Sequence, residues 1–223
     1  MIPWEHLADA AIPGTADTLS LYRRDGEYSL RIGRLELMNS RRHGSEQALA
    51  ELALERTSGQ KPAVLVGGLG MGFTLRAALG LLPAGARVTV AELVPEVVDW
   101  NRTWLAPLAD APLEDPRVRV STGDVADIFR AGRDVFDCIL LDTDNGPEGT
   151  TSEDNAWLYS RAGLRAISGS LRRGGVLAVW SGFPSRSFTQ RLARAGFQVR
   201  TETVRARAGK GSRHTIWLAG RPA

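Results

Sequence analysis

Apolar and polar positions divide the chain into two regions with different periods. In TLSLYRR (18–24) and EYSLRIGRLELMNS (27–40) apolar residues alternate with polar ones on either side of Asp25-Gly26. That alternation marks half-buried strands, and Asp-Gly between two such runs predicts a tight hairpin. Leu19, Tyr22, Tyr28, Leu30 and Ile32 are expected to form its core side, with a second turn at Gly33-Arg34. From Ser45 the spacing lengthens: Leu49, Leu52 and Ala53 fall on one helix face, and Ser58-Gly59 ends that helix.

From Ala63 strands and helices alternate. AVLVGG (63–68), RVTVAEL (87–93), RVRVSTGD (117–124), VFDCILLD (135–142) and GGVLAVWSG (174–182) read as strands. TLRAALGLL (74–82), PEVVDWNRTWLAP (95–107), VADIFR (125–130), a long amphipathic NAWLYSRAGLRAISGSL (155–171) and SRSFTQRLARAG (185–196) read as helices. FQVRTETV (197–204) and RHTIWLAG (213–220) close the chain as an antiparallel pair. VFDCILLD is nearly all apolar, as expected at the centre of a parallel sheet covered on both faces. The pattern predicts an α/β fold: residues 45–223 form a seven-stranded doubly wound sheet with an antiparallel edge, and residues 1–44 a short N-terminal β unit. In such sheets ligands bind beyond the carboxyl ends of the strands, where the strand order reverses.

Composition narrows the setting. At 223 residues, 43% hydrophobic and 24% charged, the chain suits a globular fold with a sizeable core. No run approaches the ~18–20 apolar residues of a membrane span. The N-terminus lacks a basic stretch ahead of an apolar one, so a cytoplasmic protein is expected. A lone cysteine, Cys138, forms no internal disulfide, and His6, His43 and His214 are too scattered for metal-ligand spacing, so no metal is expected. The net charge of +3 rests on an arginine-rich composition, with Lys61 and Lys210 the only lysines. Arg200, Arg205, Arg207, Lys210 and Arg213 are its one concentration, and a solvated strand pair accounts for them. No nucleic-acid partner is expected.

The chemistry-bearing residues fall at the predicted strand ends. After the first of these strands come Gly67-Gly68-Leu69-Gly70-Met71-Gly72, with Gly68, Gly70 and Gly72 spaced G-x-G-x-G. Glycines let backbone amides approach a ligand, although the third position of the dinucleotide fingerprint is missing. Glu92 ends the next strand, where a carboxylate accepts both ribose hydroxyls or sits as a surface acid at a helix start. Asp124 follows the third strand and suits either an exocyclic amine or a helix cap. Asp142 follows the fourth. A glycine loop with three such acids points to a nucleotide-containing cofactor.

VLVGGLGMGFTLR, VTVAELVPEVVDWNR, DPRVRVSTGD and FDCILLDTDNGPEG, in this order, resemble the spermidine synthase family within the class I S-adenosylmethionine-dependent transferases. LYRRDGEYSLRIGRLELMNSRRHGSEQALAELAL resembles the β unit and connecting helix that precede that family's cofactor domain. The resemblance spans residues 18 to 182 and implies a Rossmann-like class I methyltransferase sheet. It implies S-adenosylmethionine, or its decarboxylated form, in the cleft. Gly68, Gly70 and Gly72 would lie by the cofactor, Glu92 and Leu93 at the ribose, Asp124 and Val125 at the adenine, and Asp142 beside the reacting groups. His43 and Glu46 sit where the family's connecting helix reaches the cleft and could contact substrate or cofactor; an exposed loop histidine and an N-capping Ser45 are the simpler account and are read first. The N-terminal unit is a possible homodimer contact, as in the family.

The chain departs from the family pattern at two places. In the family's GGGDGGTLR, aligned on Thr74-Leu75-Arg76, the aspartate falls on Met71, which offers no charge and no strong acceptor. In its DSSDPxGP loop the second acid lies three residues after the first; here that position is Asn145, with Asp144 as the alternative. Aminopropyl transfer needs a carboxylate to orient an amine of pKa near 10.4 and help remove its proton. Asp142 and Asp144 are the candidate catalytic acids. Methyl transfer asks chiefly for in-line positioning. Methyl transfer to a small acceptor, cationic ones included, is therefore read first, aminopropyl transfer to a polyamine second, and a non-catalytic cofactor-binding or interaction protein third. An acidic loop (Asp142, Asp144, Glu148, Glu153, Asp154) would attract a cationic substrate or be a solvated lid. Trp157 and Tyr159 either wall the pocket or form the buried face of the following helix.

Overall fold

The computed structural model describes residues 2–143, 146–147, 153–207 and 210–223. It opens with a four-stranded antiparallel sheet, β1 (Glu5–Ala11), β2 (Thr18–Arg24), β3 (Glu27–Ile32) and β4 (Leu35–Asn39), paired in chain order. Asp25 and Gly26 both take positive φ, 47° and 74°, as the two-residue hairpin between β2 and β3 requires. Leu19 stands opposite Ile32 and Leu21 opposite Leu30, and Leu19, Leu21 and Leu30 are buried. The expected core face is corrected at one position. Alternate residues of a strand point to opposite faces, so Leu21 takes the core position and Tyr22 faces outward. There its ring meets that of His6 at 5.2 Å and the Arg31 guanidinium at 4.8 Å.

Helix α1 (Gly44–Leu54) leads into a seven-stranded sheet. Its elements are β5 (Ala63–Gly67), α2 (Phe73–Leu81), β6 (Arg87–Glu92), α3 (Pro95–Arg102), β7 (Val118–Thr122), α4 (Val125–Ala131), β8 (Phe136–Leu141), α5 (Glu153–Leu158), α6 (Arg161–Ser170), β9 (Leu171–Ser181), α7 (Arg186–Arg194), β10 (Gln198–Arg207) and β11 (Lys210–Gly220). The spatial order is β10-β11-β9-β8-β5-β6-β7, with β11 antiparallel to both neighbours and the other pairings parallel. This is the expected α/β sheet with its antiparallel edge. The chain steps outward from β5 through β6 to β7, then crosses back to β8 on the other side of β5, and this reversal opens a crevice above the carboxyl ends of β5, β6 and β8.

Strand alternation builds a core on each face. Val64, Val66, Cys138 and Leu140 point toward α1, α2, α3 and the small sheet, whose Leu19, Leu21 and Leu30 join that cluster. Leu65, Ile139 and Leu141 point the other way, against Phe129 of α4, Leu164 and Ile167 of α6, and Phe188 and Leu192 of α7. Each such side chain contributes about 1.5–3 kcal/mol on burial.

The long helix read over 155–171 is two helices meeting at a right place for a break. Ser160 Oγ accepts the Gly163 amide at 3.1 Å and donates to the Trp157 carbonyl at 2.7 Å, capping α6. A side chain at Gly163 would lie 2.1 Å from that carbonyl, so only glycine allows the junction. Among the described residues no helix is long and apolar enough to cross a membrane.

Candidate active site

A cleft of about 310 Å³ lies between the carboxyl ends of β5 to β9 and the small sheet, which supplies Leu19, Leu30, Ile32 and Met38 as its apolar wall. Past the last paired residues the loops stay laced together. The Gly68 amide donates to the Ala91 carbonyl at 2.9 Å, and the Asp142 amide to the Gly67 carbonyl at 2.8 Å. Gly68 has φ +89°, and a Cβ there would lie 2.3 Å from the Asp142 carbonyl oxygen. Gly70 follows with its carbonyl held by Asn101 Nδ2 at 2.8 Å. Gly68 and Gly70 line the cleft. Gly72 does not: it begins α2 with φ 82° and packs toward Asn101, Ala109 and Pro112. Met71 is fully buried in the core, so the family's acid position is turned away from the cleft.

Glu92 is buried at the end of β6, and its carboxylate accepts the Leu69 amide at 2.8 Å and the Val94 amide at 2.9 Å. It thereby ties the glycine loop to the start of α3. Burial raises its pKa against these hydrogen bonds. Leu93 lines the same wall. Asp124 caps α4 by accepting the Ala126 amide at 2.8 Å and still lines the cleft, beside Gly123 and Val125. The cap and a cleft-facing role coexist in one carboxylate.

Asp142 sits where β8 ends, its Oδ2 accepting the Thr74 hydroxyl at 2.7 Å. Burial pushes its carboxyl up to about 6. Asp144, Asn145, Glu148 and residues 149–152 lie outside the described residues, so the second candidate catalytic acid and most of the acidic loop are not placed.

Opposite Asp142, the first turn of α1 brings Glu46 to the cleft. Glu46 is 6% exposed, and its Oε2 accepts the Ser45 hydroxyl at 2.6 Å. Burial first, and the Asp142 charge second, push it up to about 7. Ser45 is therefore not the helix cap: it lies inside α1 and spends its hydroxyl on Glu46. His43 holds the cap position without a side-chain hydrogen bond and is not an exposed loop residue. It is absent from the cleft lining among the described residues. Its ring stacks on Phe73 at 4.4 Å, and burial together with the nearby Arg76 charge lowers its pKa.

At the far end Trp180, from β9, stacks on His214 of β11 with ring centroids 4.8 Å apart. Arg42 lines this end too and pairs with Glu36. Trp157 and Tyr159 do not line the cleft. Tyr159 is buried edge-on against Phe188, with its hydroxyl 3.3 Å from Thr143 Oγ1, and Trp157 lies under the Arg130 guanidinium. Thr74, Asn101, Trp180 and His214 are site residues that sequence reading missed. Of these Trp180 alone had a signal, near the end of a predicted strand. The described lining carries Asp17, Glu36, Glu46, Glu92, Asp124 and Asp142 against the single arginine Arg42. In a chain of net charge +3 this cleft is an acidic exception.

A family model described as the spermine/spermidine synthase domain matches residues 42–190. A polyamine aminopropyltransferase of Nitrosomonas europaea is 37% identical over 125 residues, covering 55% of this chain and 36% of that protein. Another, from Corynebacterium efficiens, is 32% identical over 124 residues, covering 54% of this chain and 22% of that protein. The alignments thus span about a third and a fifth of these relatives' lengths. Spermidine synthase from Thermotoga maritima superposes with a TM-score of 0.76 at 15% identity, over 97% of this chain and 72% of that one. A spermidine synthase in complex with the transition-state analogue AdoDATO gives 0.75 at 16% identity, over the same shares. The matched segment runs from the strand-to-helix link before α1 into α7, and so contains Glu46, the glycine loop and the strand ends that carry Glu92, Asp124 and Asp142; the chain belongs to the spermine/spermidine synthase family.

Proposed function

We propose that the chain transfers an aminopropyl group from decarboxylated S-adenosylmethionine to a polyamine. Of the two transfers read from the sequence this is the second, and the relatives named polyamine aminopropyltransferases favour it over methyl transfer. The observation that carries it is the acidic cleft lining, set in a basic chain and suited to a cationic acceptor.

The residues fit an adenosyl sulfonium. Gly68 and Gly70 present backbone to the space a ligand would fill, and a side chain at Gly68 has no room. Glu92, with two acceptor oxygens fixed by backbone amides, would hold the ribose hydroxyls, and Leu93 would pack at that end. Asp124 and Val125 would meet the base. Asp142 would orient the acceptor amine at the carboxyl end of β8, with Thr74 fixing its rotamer. When bound, the sulfonium supplies an electrophilic carbon: the amine lone pair forms the C–N bond as the C–S pair leaves with sulfur, giving a neutral thioether. The acceptor ammonium first gives a proton to Asp142, which frees the lone pair for attack, and Asp142 then passes the proton to solvent. A carboxyl raised toward neutrality by burial is a better proton acceptor than an ordinary aspartate.

Calorimetric titration with S-adenosylmethionine and its decarboxylated form tests the donor, and mass spectrometry of reactions with 1,4-diaminobutane or spermidine tests the transfer. Preference for the decarboxylated form by tenfold or more, about 1.4 kcal/mol, with an aminopropylated amine as product, is the expected result. Methylated amine and tighter binding of the carboxylated form would overturn it.

A further inference from the structure

We infer that Glu46, on the first turn of α1, is the second carboxylate of the amine site: it pairs with Asp142 across the cleft to hold one primary ammonium group. The inference rests on the polyamine reading and deepens it, assigning the second acid to a residue outside the strand-β8 loop, where the family pattern's second acid is Asn145 in this chain.

Three observations support it. Glu46 and Asp142 line one cleft, from α1 on one wall and the end of β8 on the other. Neither carboxylate has an arginine, lysine or histidine partner among the described residues, and Glu46 Oε1 accepts no hydrogen bond there from another residue. Glu46 is favoured by the helix dipole in the first turn of α1, yet it is 6% exposed and lines the cavity, where the dipole alone does not compensate its burial. Burying a carboxylate without a cation is costly, and two near each other cost more, so the arrangement lacks the positive charge that would stabilise it.

Of the other ionisable groups of the lining, Asp17 is exposed on the small-sheet side and the rest are already engaged. Glu36 has Arg42, Glu92 has the Leu69 and Val94 amides, and Asp124 has the Ala126 amide. His214 lies near Arg42, and burial with that charge lowers its pKa. His43, before the helix, faces Phe73 and Arg76. Asp142 is the one charged neighbour acting on Glu46. Free, the pair shares a proton near neutral pH; an ammonium satisfies both carboxylates, and the shared proton leaves to solvent. The ammonium comes from the donor's aminopropyl chain or from the acceptor amine, and the two are separable.

The experiment is calorimetry at pH 6.5 in buffers of different ionisation enthalpy, on the intact chain and on Glu46→Gln and Glu46→Asp. The ligands are decarboxylated S-adenosylmethionine, methylthioadenosine, and 1,4-diaminobutane added to the methylthioadenosine complex. In the parent chain one of the two ammonium ligands should release a fraction of a proton, and methylthioadenosine none. Release with the decarboxylated donor identifies the donor ammonium; release with 1,4-diaminobutane identifies the acceptor's. Glu46→Gln should abolish that release and weaken the same ligand tenfold or more, with methylthioadenosine within twofold. Glu46→Asp, which keeps the charge on a shorter stem, should retain release and recover part of the affinity. Unchanged ammonium binding in Glu46→Gln overturns the inference, as does an equal loss for methylthioadenosine, which is the mark of a structural role. Those two results leave aminopropyl transfer standing. Failure of the parent chain to bind any of the three ligands overturns both.

Discussion

Single residues decide the chemistry here, and the two carboxyls that matter most carry an unusual pH signature. Asp142 rises to about 6 and Glu46 to about 7, so the folded chain holds their protons more tightly than the unfolded chain does. Their contribution to stability is present at and below the ordinary carboxylate range near 4 and is lost as pH rises through 6 and 7. Without ligand, the melting temperature should fall by about 5 °C between pH 5 and pH 8, against the common trend, with part of the slope removed in Glu46→Gln. A scanning-calorimetry series at fixed ionic strength checks this; a flat or rising profile contradicts it. Asp142→Asn removes the proton acceptor, and turnover should drop at least 100-fold while methylthioadenosine binding stays within threefold. Asp142 was legible in the sequence because an acid directly after an apolar strand has a fixed address at the sheet's rim. Glu46 was only half legible. Its partner is 96 positions away (142 − 46) on another element, and nothing in a local pattern shows two carboxylates meeting through space.

At the scale of elements, the loops after β5 and β6 stay in register through a side chain, not through strand pairing alone. Glu92 joins the Leu69 amide of the glycine loop to the Val94 amide at the head of α3. Glu92→Ala should leave two buried amides unpaired, costing about 2–4 kcal/mol, and should weaken nucleoside binding further, because Gly68 and Gly70 lose the brace behind them. Urea unfolding and methylthioadenosine titration read the two effects separately; loss of neither would remove Glu92 from this role. The same scale shows where sequence patterns stop. The strand–helix alternation from Ala63 was readable because each element carries its own period. Strand β1 was not, since EHLADAA holds small and charged residues with little burial alternation and forms by pairing with β2. The break between α5 and α6 was also missed, because amphipathic spacing continues across it while one serine cap and one glycine contact decide the geometry.

Across the whole molecule the charge distribution opposes the net charge. An arginine-rich chain of +3 places six carboxyl groups and one arginine among the described residues of its cleft, so a cation meets repulsion at long range and attraction on arrival. Added salt screens both, with a Debye length near 8 Å at 0.15 M. The cleft is the nearer field and its charges are partly buried, so its attraction should dominate. The KM for a polyamine acceptor should rise several-fold between about 0.05 M and 0.5 M salt, and more steeply for trivalent spermidine than for divalent 1,4-diaminobutane. Methylthioadenosine is neutral, and its affinity over the same range should hold within twofold. That control matters, because a general loosening of the fold by salt would weaken all three ligands together. If the amines show no salt dependence, the lining acids act only by direct contact. A KM that falls with salt would mean instead that the arginine surface governs approach, and the acidic cleft would then select its ligand only after entry.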